Sequence, residues 1–331
     1  MDAKITKKRL SHLLSYDWLK IVGLIAAAII VWTLIFTMTA TRITPAQQFT
    51  VLNYNGNVSL TRTKFSSMFS KAYNDGVFSY EVLETTEIDL PMSAEYAGTI
   101  MEARVATSEG DVIFVSETEN TNYSYKIGEE TYYDTYLQNL VSSYGYLLYN
   151  LDPHADDSFF GEMKTYVNRY YQNGNYETGT LNKEKVESDF RARIIKNKDK
   201  RFKKETQIVA GLEEEIKRIE KYAAALTEFY GYLDAGLIES TQTVVTNHET
   251  GETVREGIFS LNICPNKDTM GKLSDYVGYY KEYEDESGNK QQVLTAENMN
   301  VAFFNFEDVE EGFQYESLLF VNALIRQVQG A

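Results

Sequence analysis

Cysteine is almost missing from this chain. Cys264 is the single one in 331 residues, so no internal disulfide can form, and a small stapled scaffold is excluded in favour of a domain held by its apolar core. Histidine is scarce as well. After Ala40 only His154 and His248 occur. His154 lies in DPHADD beside Asp152, Asp156 and Asp157, but no second histidine stands at ligand spacing and Pro153 marks a helix-starting loop. His248 is expected at an exposed hairpin tip, and Cys264, after an apolar run and before Pro265, as a buried structural thiol. No Gly-x-Ser-x-Gly elbow, Walker loop or His-Glu-x-x-His helix is present. Carboxylates are so abundant that any glycosidase pair would be arbitrary. The chain therefore reads as a non-enzyme, with no metal or cofactor called for. Positive charge is also short, with 32 Lys and Arg against 48 Asp and Glu and a net charge of −16. The first twenty residues carry +3 and residues 21–40 none, which leaves −19 on the remainder. Nucleic acid, whose phosphates need a basic surface, is not an expected partner.

Long apolar runs are absent except for one. Ile21 to Ala40, IVGLIAAAIIVWTLIFTMTA, holds no charged side chain. At ~1.5 Å per residue it is long enough as a helix to cross a hydrocarbon core of ~30 Å. Lys4, Lys7, Lys8, Arg9 and Lys20 precede it and only Arg42 closely follows, which keeps the amino terminus in the cytoplasm. A cleaved signal sequence would have a shorter apolar run and a small-x-small site, for which Met38-Thr39-Ala40 is poor. The expected layout is a basic cytoplasmic tail over 1–17, a transmembrane helix over 18–41, a tether over 42–47 and an extracytoplasmic domain over 48–331. The cell membrane, crossed once, is the expected location and the bilayer the first partner.

The exported part opens with FTVLNYNGN, in which Phe49, Val51 and Tyr54 favour a strand and Asn55-Gly56 a turn. Helical spacing follows over 62–76, strand alternation over 79–88 and helical spacing again over 93–105. DVIFV, 111–115, is a short continuous apolar run suited to a strand buried on both faces. The order β-α-β-α-β predicts an α/β domain with a parallel or mixed sheet. This pattern, with FSKAYNDGVFSYEV and Gly110-Asp111-Val112, resembles the start of the extracytoplasmic solute-binding proteins of ABC importers over residues 48–117. The resemblance implies a periplasmic-binding-protein-like fold whose strand ends face a ligand cleft. The chain departs from that family in placing a membrane helix where a lipid-modified cysteine would stand.

A helical insertion is expected over about 130–237. Tyr133, Tyr136, Leu137, Leu140, Tyr144, Leu147, Leu148 and Leu151 form one broad stripe ended by Asp152-Pro153. A later helix ends in a basic stretch from Arg191 to Lys204, either a solvated face balancing Glu213, Glu214 and Glu215 or a dock for an anionic partner. Leu212, Ile216, Ile219, Ala223, Leu226, Tyr230 and Leu233 repeat at a 3.5-residue period, the pattern of a coiled-coil seam or of a helix packed on its own domain. Beyond it, a hairpin turns near Glu249-Thr250-Gly251, with its second strand apolar from Ile258 to Ile263. A helix is expected over 270–280, a plain turn at EDESGNK, a strand at MNVAFFNF and a closing helix at YESLLFVNALIRQV.

In open α/β sheets the crevice beyond the carboxyl ends of the strands holds ligands. That rule selects Asn53, Tyr54 and Asn55 after the first strand and Ser116 and Glu117 after the third. Tyr54 offers a ring face to a sugar or peptide group, and the others offer donors and acceptors. Ordinary turn and capping duty is the competing reading. The expected role is a membrane-anchored binding protein, solute-binding-like, with a small-molecule ligand. The alternative is a structural accessory subunit whose 130–235 helices hold a membrane or envelope partner.

Overall fold

The computed structural model describes residues 7, 11, 18–39, 47–55, 64–65, 76–82, 84–90, 94–266, 272–284, 288–306 and 311–329. The chain divides into two compact units, Met1–Thr44 and Pro45–Ala331. In the first, helix α1 spans Trp18–Thr39. Its side chains from Val22 to Phe36 are exposed, and its 19-residue apolar stretch Trp18–Phe36 has the length and composition of a membrane anchor or a signal sequence.

The second unit is mixed α/β. Its main sheet contains β1 (Gln48–Tyr54), β2 (Glu84–Asp89), β3 (Val112–Ser116), β6 (Glu239–Ser240), β9 (Leu261–Asn262) and β12 (Met299–Phe303). The order across the sheet is β2-β1-β3-β12-β9-β6. β1 pairs in parallel with both β2 and β3, whereas β12 runs antiparallel to β3 and β9, and β6 antiparallel to β9. Three two-stranded ribbons stand apart from it: β4 (Tyr125–Ile127) with β5 (Glu130–Tyr132), β7 (Thr243–Thr246) with β8 (Thr253–Gly257), and β10 (Tyr279–Glu284) with β11 (Lys290–Thr295).

Alternation of side chains sends each central strand into two cores. Phe49, Val51, Val112, Phe114, Val301 and Phe303 join one cluster with helices α4 (Phe159–Asn168), α6 (Glu205–Asp234) and α7 (Glu316–Gln329). Leu52, Ile113, Val115 and Ala302 join the other with α2 (Ala94–Ala106) and α3 (Tyr136–Tyr144). A helix layer therefore covers each face, which explains why all five residues of β3 are buried. Helix α5 (Lys183–Asn197) packs on α6 rather than on the sheet. The 3.5-residue stripe of α6 turns inward, with Ile219 and Leu226 fully buried, so it belongs to the domain core.

Several expected elements differ. The strand foreseen over 79–88 begins only at Glu84, because the Ser79 amide donates instead to the Glu316 carboxylate at 2.7 Å. The broad stripe over 133–151 is no single helix: β5 ends at Tyr132, α3 stops at Tyr144, and a 3-10 turn runs over Gly145–Leu147. A β-carbon at Gly145 would collide with the Arg255 guanidinium, so this turn is shaped by β8. The apolar strand foreseen over 258–263 is reduced to Leu261–Asn262. Of the helix foreseen over 270–280, residues 270 and 271 lie outside the described ones, 272 and 273 are helical, and Tyr279–Tyr280 belong to β10. Gly278 sits so close to Thr295 that an added β-carbon would lie 2.8 Å from its carbonyl oxygen. Most of the first expected helix, over 62–76, falls outside the described residues.

Candidate functional site

β1 and β3 lie side by side, with Asn53 opposite Phe114 and Tyr54 opposite Val115. The chain leaves β1 for β2 on one flank, while β3 borders β12 on the other. Their carboxyl ends form the place where strand order reverses, the usual seat of a crevice in such sheets.

Four of the five residues expected there are committed to one another or to neighbouring strands. Asn53 is buried and its amide donates to Asp89 at 3.1 Å. Asn55, also buried, donates to the Asn53 side-chain oxygen and reaches the Met299 sulfur at 3.5 Å. Its own side-chain oxygen has no partner among the described residues. Ser116 is fully buried and shares a hydrogen bond with the Thr118 hydroxyl at 2.6 Å. Glu117 accepts from the Asn300 amide at 3.0 Å, and Asn300 in turn accepts from Ser260 at 3.1 Å. This amide lattice ties β1, β2, β3 and β12 together at their ends. Buried polar groups satisfied in this way fix strand register.

Tyr54 points to the opposite face. Its hydroxyl accepts from the buried Asn120 amide at 3.3 Å, and its ring meets Tyr136 edge-on at 5.1 Å. Burial, together with the nearby phenols of Tyr123 and Tyr136, holds the Tyr54 proton well above the usual tyrosine range. Asn120 organises the loop: its amide also donates to Asn139 at 2.8 Å, and its oxygen accepts the Asn122 N–H at 3.1 Å.

Tyr54 forms one wall of a pocket of about 350 Å³. α2 supplies Ala97, Gly98 and Met101; α3 supplies Asn139, Leu140, Ser142, Ser143 and Tyr144; Tyr123, Ser124, Tyr125 and Asp134 close it from the β4–β5 side. Gly98 leaves an open floor, since a β-carbon there would meet no atom within 4 Å. Four tyrosines thus face a space with hydroxyl and amide groups, the mix of apolar wall and few polar groups that ligand pockets use. Among the described residues the lining holds no lysine or arginine, and Asp134 is its one acid. Such a wall in an acidic protein disfavours an anionic ligand.

His248 is not the free hairpin tip that its position suggested. Its Nε2 lies 3.0 Å from Asp134 Oδ1, and its ring stacks on Tyr125 with centroids 3.3 Å apart. The β7–β8 turn thereby pins two pocket residues. His154 is exposed, with its backbone N–H donating to Asp152 at 2.9 Å, and Cys264 is buried and outside any disulfide. Among the described residues no three His, Cys, Asp or Glu converge as a metal would need.

A smaller cavity of about 210 Å³ lies at the other end of the strands, lined by Gln48, Thr50, Glu109, Asp111 and Phe304 among others. Asp111 Oδ2 accepts the Thr50 N–H at 2.6 Å. Desolvation, helped by the Glu316 charge, pushes its carboxyl up to about 7.

Of the pocket residues, Tyr54 alone was selected from the sequence. Asn120 and the pair Asp134–His248 were missed; the pair is 114 residues apart, and no local pattern announces it. Searched against protein-family models, curated proteins and solved structures, the chain matches none of them.

Proposed function

We propose that this chain is a membrane-anchored, non-catalytic binding protein. In this reading α1 is an uncleaved single-pass anchor with the amino terminus in the cytoplasm, and the α/β domain lies outside, as the basic flank before Ile21 favours. The single observation that carries the binding role is the pocket of about 350 Å³ beside the end of β1, walled by Tyr54, Tyr123, Tyr125 and Tyr144. Its ligand is a neutral, hydroxyl-rich molecule of sugar size or a short peptide. Ring faces stack on it, and Ser142, Ser143 and Asn139 exchange hydrogen bonds with it. The strand order β2-β1-β3 with helices on both faces supports a role like that of the solute-binding components of importers. Of the strand-end residues only Tyr54 takes part in binding, together with the α2–α3 wall.

The test is a thermal-shift screen of the full chain in detergent against neutral sugars, peptides and amino acids. A ligand present at about 100 times its dissociation constant should stabilise the fold by roughly 2.7 kcal/mol. A screen in which nothing raises the melting temperature would sink the binding role.

A structural accessory role is the second reading, and the β10–β11 ribbon favours it. Tyr280, Tyr283, Val293 and Leu294 are exposed on it, and both of its faces are open. Apolar side chains on a free two-stranded ribbon suit a protein partner. The α6 stripe does not serve that role, because it is spent inside the domain.

A further inference from the structure

The turn between α5 and α6 concentrates charge of the wrong sign for this protein. Residues 191–204 contain eight Lys and Arg and one acid, Asp199, for a net +7 in a chain whose total is −16. The arginines are neutralised locally. Arg191 pairs with Glu187 at 2.8 Å and with Glu205 at 2.5 Å, Arg193 with Glu215 at 2.9 Å, and Arg201 with Asp199 at 2.7 Å. Lys196, Lys198, Lys200, Lys203 and Lys204 are all exposed, and no carboxylate pairs with any of them among the described residues. Glu187, Glu205, Glu215 and Asp199 are thus spent on arginine, and the five lysines are left exposed.

The turn is also built to hold its shape. Phe202 packs edge-on against Phe190 with centroids 5.2 Å apart, over Gly211, where a β-carbon would collide with the Phe202 ring. Lys198 ends α5 in the left-handed conformation, with φ of 50°, and the Gln207 side-chain oxygen accepts the N–H groups of Lys203 and Lys204 at 3.0 and 2.9 Å. Amid the lysines stands Ile195, 77% exposed. An exposed isoleucine gives nothing to a soluble polyanion. It does fit a lipid surface, where an apolar side chain enters the headgroup boundary while lysines lie along it and reach the phosphates.

We propose that the α5–α6 turn is a docking knob for an anionic lipid bilayer, with Ile195 entering the interface and the five lysines binding headgroup phosphates. This surface is separate from the tyrosine pocket and does not depend on what that pocket holds. Single contacts of this kind are weak, but with α1 as the anchor proposed above the domain meets the bilayer at high effective concentration.

The experiment uses the full chain in lipid nanodiscs, with Asn197→Cys carrying an environment-sensitive NBD label; Cys264 is buried and escapes labelling. Anionic lipid is presented in the disc or as separately added phosphatidylglycerol vesicles, against phosphatidylcholine controls. The expected result is a blue-shifted emission, several-fold brighter with anionic lipid, that is lost at high salt as screening shortens the reach of each charge. The variant with all five lysines changed to Gln should lose the response without a change in melting temperature, and Ile195→Ser should weaken it. Equal emission with anionic and neutral lipid overturns the proposal. So does a response to soluble polyphosphate that anionic lipid fails to match, which would assign the knob to a polymer.

Discussion

Asp111 opens β3 with its carboxylate aimed at the Thr50 amide, and Gly110 before it adopts φ of +149° beneath the Phe304 ring and Leu52. Close packing strips water from the carboxylate, so the folded chain keeps that proton up to about pH 7, whereas an unfolded aspartate releases it near pH ~4. Between those limits the native state binds the extra proton. Stability contributed by this group is therefore full in acid and is lost as pH rises through about 7. Asp111→Asn removes the ionisation and keeps a side-chain oxygen for Thr50. The variant should melt like the parent at acidic pH and be more stable at alkaline pH by roughly 1–2 kcal/mol, a figure reduced for the partial exposure of the residue. Melting curves on either side of neutrality check this; a difference between the two proteins that does not change with pH would refute it. Glu316 illustrates the opposite use of a buried acid. It is fully buried at the amino end of α7, accepts from Ser79 and Tyr222, and ties the segment 76–82 to α6 and α7.

At the scale of elements, α6 is the beam of the domain. Thirty residues long, it packs on α4, α5 and α7. Ile219, with no exposed surface, sits at its middle. Ile219→Asp would bury an unpaired charge and should cost about 3–5 kcal/mol, seen as a much lower melting temperature of the full chain. Normal melting in that variant would mean that this face of α6 is not core. Elements with a strong periodic signal were legible before the structure. DVIFV gave β3 to within one residue, the Tyr96-to-Val105 spacing gave α2, and the stripe from Leu212 to Leu233 gave α6. Elements shaped by distant contacts were not. Arg255 crowds Gly145 where the helical stripe gives way to a 3-10 turn, Glu316 takes Ser79 from the expected strand, and Gly278 lies against Thr295 where the expected helix gives way to the ribbon. The site divides in the same way. Tyr54 was legible because the end of a central strand is legible, whereas Asn120 and the Asp134–His248 clasp depend on loops meeting across the fold.

At the scale of the whole molecule, three features stand on separate parts of the chain: an apolar helix fit to enter a membrane, a tyrosine-walled pocket and a lysine-rich turn. The central claim is that the pocket is a binding site rather than a gap in packing, and Gly98 gives direct access to it. Gly98 lines the pocket and a β-carbon there would meet no atom within 4 Å, so Gly98→Leu adds bulk at the pocket wall. It would also replace a glycine inside α2, which favours the helix by up to about 1 kcal/mol. Calorimetric titration of the compound that most raises the melting temperature, into the parent chain and into Gly98→Leu, is the most direct test. The predicted result is heat of binding for the parent and none for Gly98→Leu, while the variant melts at the same temperature or higher. Equal affinity for both chains would contradict the pocket as the site of binding.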